Sequence, residues 1–261
     1  MIGVPYDQRS SYSRGAAEAP SAIRDAWHRA STNMYAEDGT IVDESLVRDE
    51  GDVVLQEEGD SVDVIEERIA SVLSSGSAPL ILGGDHSITY PAVKAMSKHY
   101  KGLGILHFDA HSDMYDEFEG DRLSHACPFA RIMEEGAVTK LVQIGIRTLT
   151  THLREQAARF GAEVHEMKDW TGTEHISFDG PVYISVDIDA LDPAFAPAVS
   201  HREPGGLSTR QLIDVIQRFE GRAVGADLVE FNPSVDRDGP TDMVCSKLLK
   251  ELAARMSRDN R

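Results

Sequence analysis

The chain has only two cysteines, Cys127 and Cys245, in 261 residues. That is too few for a disulfide framework, and neither stands in a Cys-x-x-Cys zinc pattern. Basic residues are scarce too. Lys and Arg total 26 against 44 Asp and Glu, a formal charge of −18. Phosphate backbones need a basic face, so this balance argues against nucleic acid as a partner. No apolar run approaches the ~20 residues of a membrane span. No charged-then-apolar leader precedes residue 30, so the expected setting is soluble and cytoplasmic. The acidic excess favours a cationic substrate through the field of the whole molecule, and it also suits a plain solvated surface.

What is present reads as one large α/β domain over residues 1–261. Hydrophobic residues make up 41% of the chain, enough for a sizeable core. Apolar strands are expected at Pro79–Leu82, Leu103–Phe108, Thr139–Ile146, Glu163–Met167, Pro181–Asp189 and Arg222–Glu230. Helices with one apolar face are expected at Pro20–Arg29, Ser61–Leu73, Pro91–His99, Ala126–Glu135, Leu149–Phe160, Ser208–Phe219 and Thr241–Met256. Ser208-Thr-Arg-Gln211 fits a capping box. Residues 31–60 are polar and acidic and the least readable. Alternating strands and helices imply a three-layer α/β/α fold around a mostly parallel sheet.

In such sheets the functional loops lie beyond the carboxyl ends of the strands. Four polar clusters fall there: after Leu82, after Phe108, after Ile184 and after Val229. Ser185-Val-Asp-Ile-Asp-Ala-Leu-Asp-Pro193 places Asp187 and Asp189 two residues apart in an apolar run. Strand side chains alternate, so both carboxylates would share a face. Unpartnered, they repel, and one would have to keep a proton. Asp109, His111 and Asp113 have the same two-residue spacing, and His86 follows Gly83-Gly-Asp85. Alone, each piece also suits a polar loop or turn; together they read as a metal site. Imidazole and carboxylate without thiolate suit Mn²⁺, and also Zn²⁺, Co²⁺ or Ni²⁺. Four aspartates carry four negative charges, which two divalent ions balance. Two ions sharing a water lower its pKa far enough to supply hydroxide near neutral pH.

These blocks resemble those of the ureohydrolases, the family of arginase, agmatinase, guanidinobutyrase and formiminoglutamase. The matching stretches are Gly83-Gly-Asp-His-Ser87, Phe108-Asp-Ala-His-Ser-Asp113, Ser185 to Pro193 continuing to Pro197-Ala198 and Gly206, and Glu230-Phe-Asn-Pro233. The resemblance runs over nearly the whole chain. It implies a dinuclear manganese centre in which His86 and Asp113 serve one ion, His111 and Asp189 the other, and Asp109 and Asp187 bridge them. It implies hydrolysis of a guanidinium or formimino carbon by metal-bridging hydroxide. His125 would shuttle the proton to the leaving amine, and Glu230 would orient the guanidinium. A homo-oligomer, trimeric or hexameric, is implied as well.

The far end of the substrate is less constrained. The loop Met114 to Ser124 lacks the Asn-bearing pattern of arginases, and Ile144-Gly-Ile-Arg-Thr-Leu-Thr-Thr151 has no acid until Glu155. Ile144 to Arg147 and Val199-Ser-His-Arg-Glu-Pro-Gly-Gly206 look agmatinase-like. Agmatine, cleaved to putrescine and urea, is therefore the first expectation, with Asp116, Glu117 and Glu119 placed to meet its ammonium. A guanidino-acid hydrolase or formiminoglutamase would need a cation for a carboxylate, and Arg202, Arg122 and Arg147 are candidates. A catalytically silent relative would have lost metal ligands, and none is lost.

Overall fold

The structure is a computed structural model that describes residues 1–55 and 61–260. Seven strands among the described residues form one sheet: β1 (Ile2–Gly3), β2 (Leu80–Leu82), β3 (Gly104–Phe108), β4 (Lys140–Ile146), β5 (Glu163–Glu166), β6 (Ser177–Asp187) and β7 (Glu220–Val229). Their order is β1-β2-β7-β6-β3-β4-β5. Every pairing is parallel.

The helices are α1 (Ala19–Trp27), α2 (Ser61–Ser74), α3 (Thr89–His99), α4 (Pro128–Glu134), α5 (Thr151–Phe160), α6 (Thr209–Arg218) and α7 (Pro240–Asp259). They cover both faces, as a fully parallel sheet requires. On one face Ile23 and Trp27 of α1, Leu212 and Ile216 of α6, and Leu248 and Leu252 of α7 pack on Leu106, Phe108, Ile184, Val186 and Leu228. On the other, Ile65 and Ile69 of α2, Val93 of α3, Phe129 of α4 and Leu153 of α5 pack on Ile81, Ile105, Leu141 and Tyr183. The strand pleat sorts neighbouring residues into these two cores.

Local chemistry sets the element ends. Ser208 accepts the N–H of Gln211, and the Gln211 side chain accepts the N–H of Ser208, closing the expected capping box of α6. Thr150 caps α5, and Gly161 ends it in the left-handed conformation. The polar segment after residue 31 is largely loop up to residue 55, tied to the edge strand by the bridge Gly3–Asp52; its last five residues, 56–60, lie outside the described residues. No helix is long and apolar enough to cross a membrane among the described residues.

The sheet order decides where the chemistry can sit. β2, β7, β6 and β3 are four consecutive neighbours. The four polar clusters leave the carboxyl ends of these strands, so they open onto a common space.

Gly84, just past β2, is pressed against the chain leaving β1. A Cβ there would lie 1.7 Å from the Tyr6 carbonyl oxygen, the same oxygen that accepts the Asp85 N–H at 2.8 Å. Gly84→Ala is expected to destabilise the fold by about 1–3 kcal/mol or more, measured by denaturant unfolding. A neutral result would mean the two segments separate freely.

Candidate metal centre

β6 ends at Asp187, and the chain tightens at once into a 3-10 turn, Ile188–Ala190. The expected shared strand face of Asp187 and Asp189 is therefore corrected. Asp187 Oδ1 accepts the Asp189 N–H at 2.7 Å, and this turn draws the two side chains together. The block after β3 behaves alike. Asp109 Oδ1 accepts the His111 N–H at 2.6 Å, and Asp113 sits at φ 48, a left-handed conformation that Asp tolerates. Carboxylates that bond their own backbone two residues on make turns, so turn geometry replaces pleat alternation at both places.

The result is a compact cluster. His86 Nδ1 lies 3.2 Å from Asp109 Oδ2, 3.1 Å from Asp113 Oδ2 and 3.3 Å from Asp187 Oδ2. His111 Nδ1 lies 3.2 Å from Asp109 Oδ1 and 3.1 Å from Asp189 Oδ2. Asp109 thus offers one oxygen to each imidazole. Asp187 meets the His86 side, and its other oxygen is engaged by the Asp189 N–H. All four aspartates are buried, as is His86.

The electrostatics are those of a crowd of like charges. Burial, together with Asp189 and Asp109, pushes the Asp187 carboxyl well above the usual range. Burial and Asp109 raise Asp189 against the opposing pull of His111. Asp109 goes the other way: burial would raise it, but hydrogen bonds from His107, His111 and His86 hold it well below. Burial would lower the His86 imidazole, and Asp109, Asp113 and Asp187 outweigh this and raise it. Positive charge among these oxygens is what the arrangement favours.

A divalent ion fits that demand. His86 Nδ1 is buried without an aligned hydrogen-bond partner, yet three carboxylate oxygens surround it. Spacings of this size are those of neighbouring ligand atoms around one ion with bonds of about 2.1 Å. Asp109, His111 and Asp189 bring a second set of donor atoms within 4.8 Å of one another. His107 also lies beside Asp109, but its two ring nitrogens are taken by Asp109 and Gln143, so it supports the cluster and does not join it.

Glu230 and His125 stand next to this cluster. Glu230 follows β7 at φ 64, a strained conformation for its type, fixed by its N–H to the Gly84 carbonyl at 2.9 Å. Its Oε1 accepts the His86 N–H at 2.9 Å and the His125 ring Nδ1–H at 3.1 Å. Burial would lower His125, but Glu230 outweighs it and lifts the imidazole to about 9. Glu230 moves in the matching direction: burial raises it, and His125 more than offsets that. The Ser11 N–H points at His125 Nε2 from 3.3 Å, which favours a neutral ring. The charged bond to Glu230 is the stronger of the two, and the Ser11 hydroxyl, at 2.9 Å, can accept instead.

Above the cluster lies a cavity of about 150 Å³, lined by Ser11, Tyr115, Phe118, Thr148, His201 and the cluster itself. His201 stacks on His125 with centroids 5.4 Å apart. A larger cavity of about 590 Å³ lies near Met1, Leu80 and Met256, away from the carboxylates. Several expected substrate contacts need correction. Asp116 does not line the site cavity; its Oδ1 accepts from Gln156 at 2.8 Å, and Arg159 lies 3.5 Å away. Glu117 and Glu119 are exposed and also outside it. Arg202 is exposed, with its Nε on the Pro197 carbonyl at 2.7 Å. Arg122 pairs with Glu134, and Arg147 is consumed by the carbonyls of Glu203, Gly145 and Asp189. Asp192 holds the following loop through the N–H groups of Ala194, Gly205 and Gly206. Sequence reasoning missed Ser11 and the aromatic wall, which carry no motif signal, and did not single out Thr148 and His201 within the stretches 144–151 and 199–206.

Fold and site together define a three-layer α/β protein with a buried carboxylate–imidazole centre. A sequence profile described as Arginase family matches residues 1–254. Arginase 1, mitochondrial, of Arabidopsis thaliana is 46% identical over 99% of this chain and 81% of its own length. Guanidino acid hydrolase, mitochondrial, of Homo sapiens is 38% identical over 99% of this chain and 78% of its own. The solved structure of arginase from Medicago truncatula superposes with a TM-score of 0.94 at 44% identity, covering 98% of this chain and 86% of that one. The chain belongs to the arginase family of ureohydrolases.

Two outcomes follow from the site. In metal-free protein the His125 imidazolium should titrate near pH 9, seen by NMR, and Glu230→Gln should lower that value toward 6.5. Because the folded value is raised, the pair's stabilisation is full below pH 6.5 and is lost as pH rises through about 9. Separately, His111→Asn and Asp189→Asn should lower bound metal, read by elemental analysis; either variant holding as much as the native chain would contradict its place as a ligand.

Proposed function

We propose that the chain hydrolyses the guanidinium group of a small linear guanidino compound and releases urea. The observation that carries this is the Glu230–His125 pair set beside the carboxylate–imidazole cluster. A planar guanidinium pairs bidentately with a carboxylate, so Glu230 would hold its carbon close to the cluster. His86 and Asp113 would hold one divalent ion and His111 and Asp189 the other, with Asp109 and Asp187 serving both. Mn²⁺ suits these donors, and Ni²⁺, Co²⁺ or Zn²⁺ would be accepted. Bound there, the pair of ions supplies a water of lowered pKa as the nucleophile. His125, hydrogen-bonded to Glu230, would give a proton to the departing amine nitrogen, which would otherwise leave as a strongly basic anion.

Arginine is the substrate favoured by the likeness to the Arabidopsis arginase. The sequence reading put agmatine first, but of the acids expected to meet its ammonium Asp116 accepts from Gln156, and Glu117 and Glu119 are exposed outside the cavity lining. Agmatine stays as the second reading for a different reason: among the described residues the cavity lining holds no Lys or Arg to receive a carboxylate. An α-carboxylate would instead rely on neutral donors such as Thr148 and Ser11.

The test is urea release with added Mn²⁺ from arginine, agmatine, 4-guanidinobutyrate and 3-guanidinopropionate, with formiminoglutamate scored by formamide. Urea chiefly from arginine is expected. Urea from agmatine alone would replace the substrate, and urea from none of the four would overturn the reaction. His125→Ala should lower turnover by ~10²–10⁴-fold with metal content unchanged; loss of metal in that variant would contradict its role as proton donor.

A further inference from the structure

One pleat below the ligands, four strands carry a row of buried polar residues in register. Gln143 of β4 is opposite His107 of β3, His107 is opposite Ser185 of β6, and Ser185 is opposite Asp227 of β7. All four are fully buried and face the same side of the sheet as Ile105 and Tyr183. Polar groups at such positions cost stability unless they are bonded, so their bonds show what they are for.

Asp227 is the end of one line. Its Oδ1 accepts from the Ser185 hydroxyl at 2.7 Å. Its Oδ2 accepts from the Thr89 hydroxyl at 2.8 Å and the Tyr183 hydroxyl at 2.9 Å. Ser185 has one hydroxyl proton, and an ionised carboxylate can only accept, so that proton points to Asp227. The serine oxygen, 3.0 Å from His86 Nε2, must then accept, which fixes the imidazole proton on Nε2. In the neutral ring that a cation requires, the lone pair is thereby left on Nδ1, the nitrogen that faces Asp109, Asp113 and Asp187.

Gln143 is the end of a second line. Its Nε2 donates to the Ser112 carbonyl at 2.7 Å, which sets the orientation of the amide. The same nitrogen lies 2.9 Å from His107 Nδ1 and donates there as well. His107 therefore carries its proton on Nε2 and gives it to Asp109 Oδ2 at 3.0 Å. Each line runs from a buried anchor, through one side chain, to a ligand.

We propose that Asp227, acting through Ser185, is a positioning residue for the metal centre: it fixes the His86 ring with Nδ1 bare and lends it negative charge, while Gln143 and His107 do the equivalent for Asp109. This rests on the reading of the cluster as a two-ion site. A hydrogen-bonded partner behind a ligating histidine makes it a better donor and holds its ring, and removal of such a partner typically weakens metal binding by ~10–100-fold.

The two oxygens of Asp227 give the experiment its control. Ser185→Ala and Asp227→Asn cut or discharge the line to His86. Thr89→Val and Tyr183→Phe strip the other oxygen and leave the line intact. Mn²⁺ affinities are measured by competition calorimetry on the full chain, beside denaturant stability for every variant. Ser185→Ala and Asp227→Asn are expected to weaken one of the two ions ~10–100-fold and to leave the other within a few-fold. Thr89→Val and Tyr183→Phe are expected to lose stability at native affinity for both. Native affinity in Ser185→Ala, the mildest cut, overturns the proposal, as does equal weakening in all four variants, which would make the row a plain structural bed. A native chain that binds no Mn²⁺ would instead overturn the two-ion reading itself.

Discussion

Four aspartates buried within reach of two imidazoles cannot all be ionised in a protein interior without positive charge among them. Taking one unpaired carboxylate out of water already costs several kcal/mol. Here Asp109, Asp113, Asp187 and Asp189 are buried together, and burial drives the Asp187 and Asp189 carboxyls up. The fold keeps this conflict in place instead of relieving it. Backbone N–H groups of His111, Ala110 and Asp189 hold three of the carboxylates in fixed directions. A scaffold that pins like charges together is preorganised for cations, since the ions find their ligands already gathered.

The sheet makes that pinning possible. Chain order scatters the site residues from residue 86 to residue 230, and strand order gathers them. β2, β7, β6 and β3 lie side by side, so His86, Glu230, the Asp187–Asp189 turn and the Asp109–Asp113 turn leave adjacent strand ends. Glu230 and His125 are then built on the same frame. Glu230 bonds both the backbone of His86 and the ring of His125, so this pair and the carboxylate–imidazole cluster share one set of supports. Below them the in-register row from Gln143 to Asp227 continues the support into the body of the sheet.

Much of this was legible in the sequence, because it depends on residue type and period. Apolar runs ending in polar clusters marked the strands, and carboxylate–imidazole spacing marked the residues that cluster. The geometry that unites them was not legible. Asp187 and Asp189 meet through a side-chain-bonded turn, where strand alternation would have placed them on one face. Asp113 takes a left-handed conformation that spacing cannot reveal. The contact of Asp116 with Gln156, forty residues on in α5, is another that spacing cannot reveal. Ser185 and Asp227 read as ordinary members of apolar strands, since their pairing depends on register between β6 and β7.

The central claim is that two cations resolve the carboxylate conflict. Anomalous scattering from crystals of the chain loaded with Mn²⁺ tests it most directly. The account requires two manganese peaks: one against His86 Nδ1 and Asp113, the other against His111 Nδ1 and Asp189, with Asp109 touching both. A single peak, or none within this cluster at saturating Mn²⁺, would contradict it.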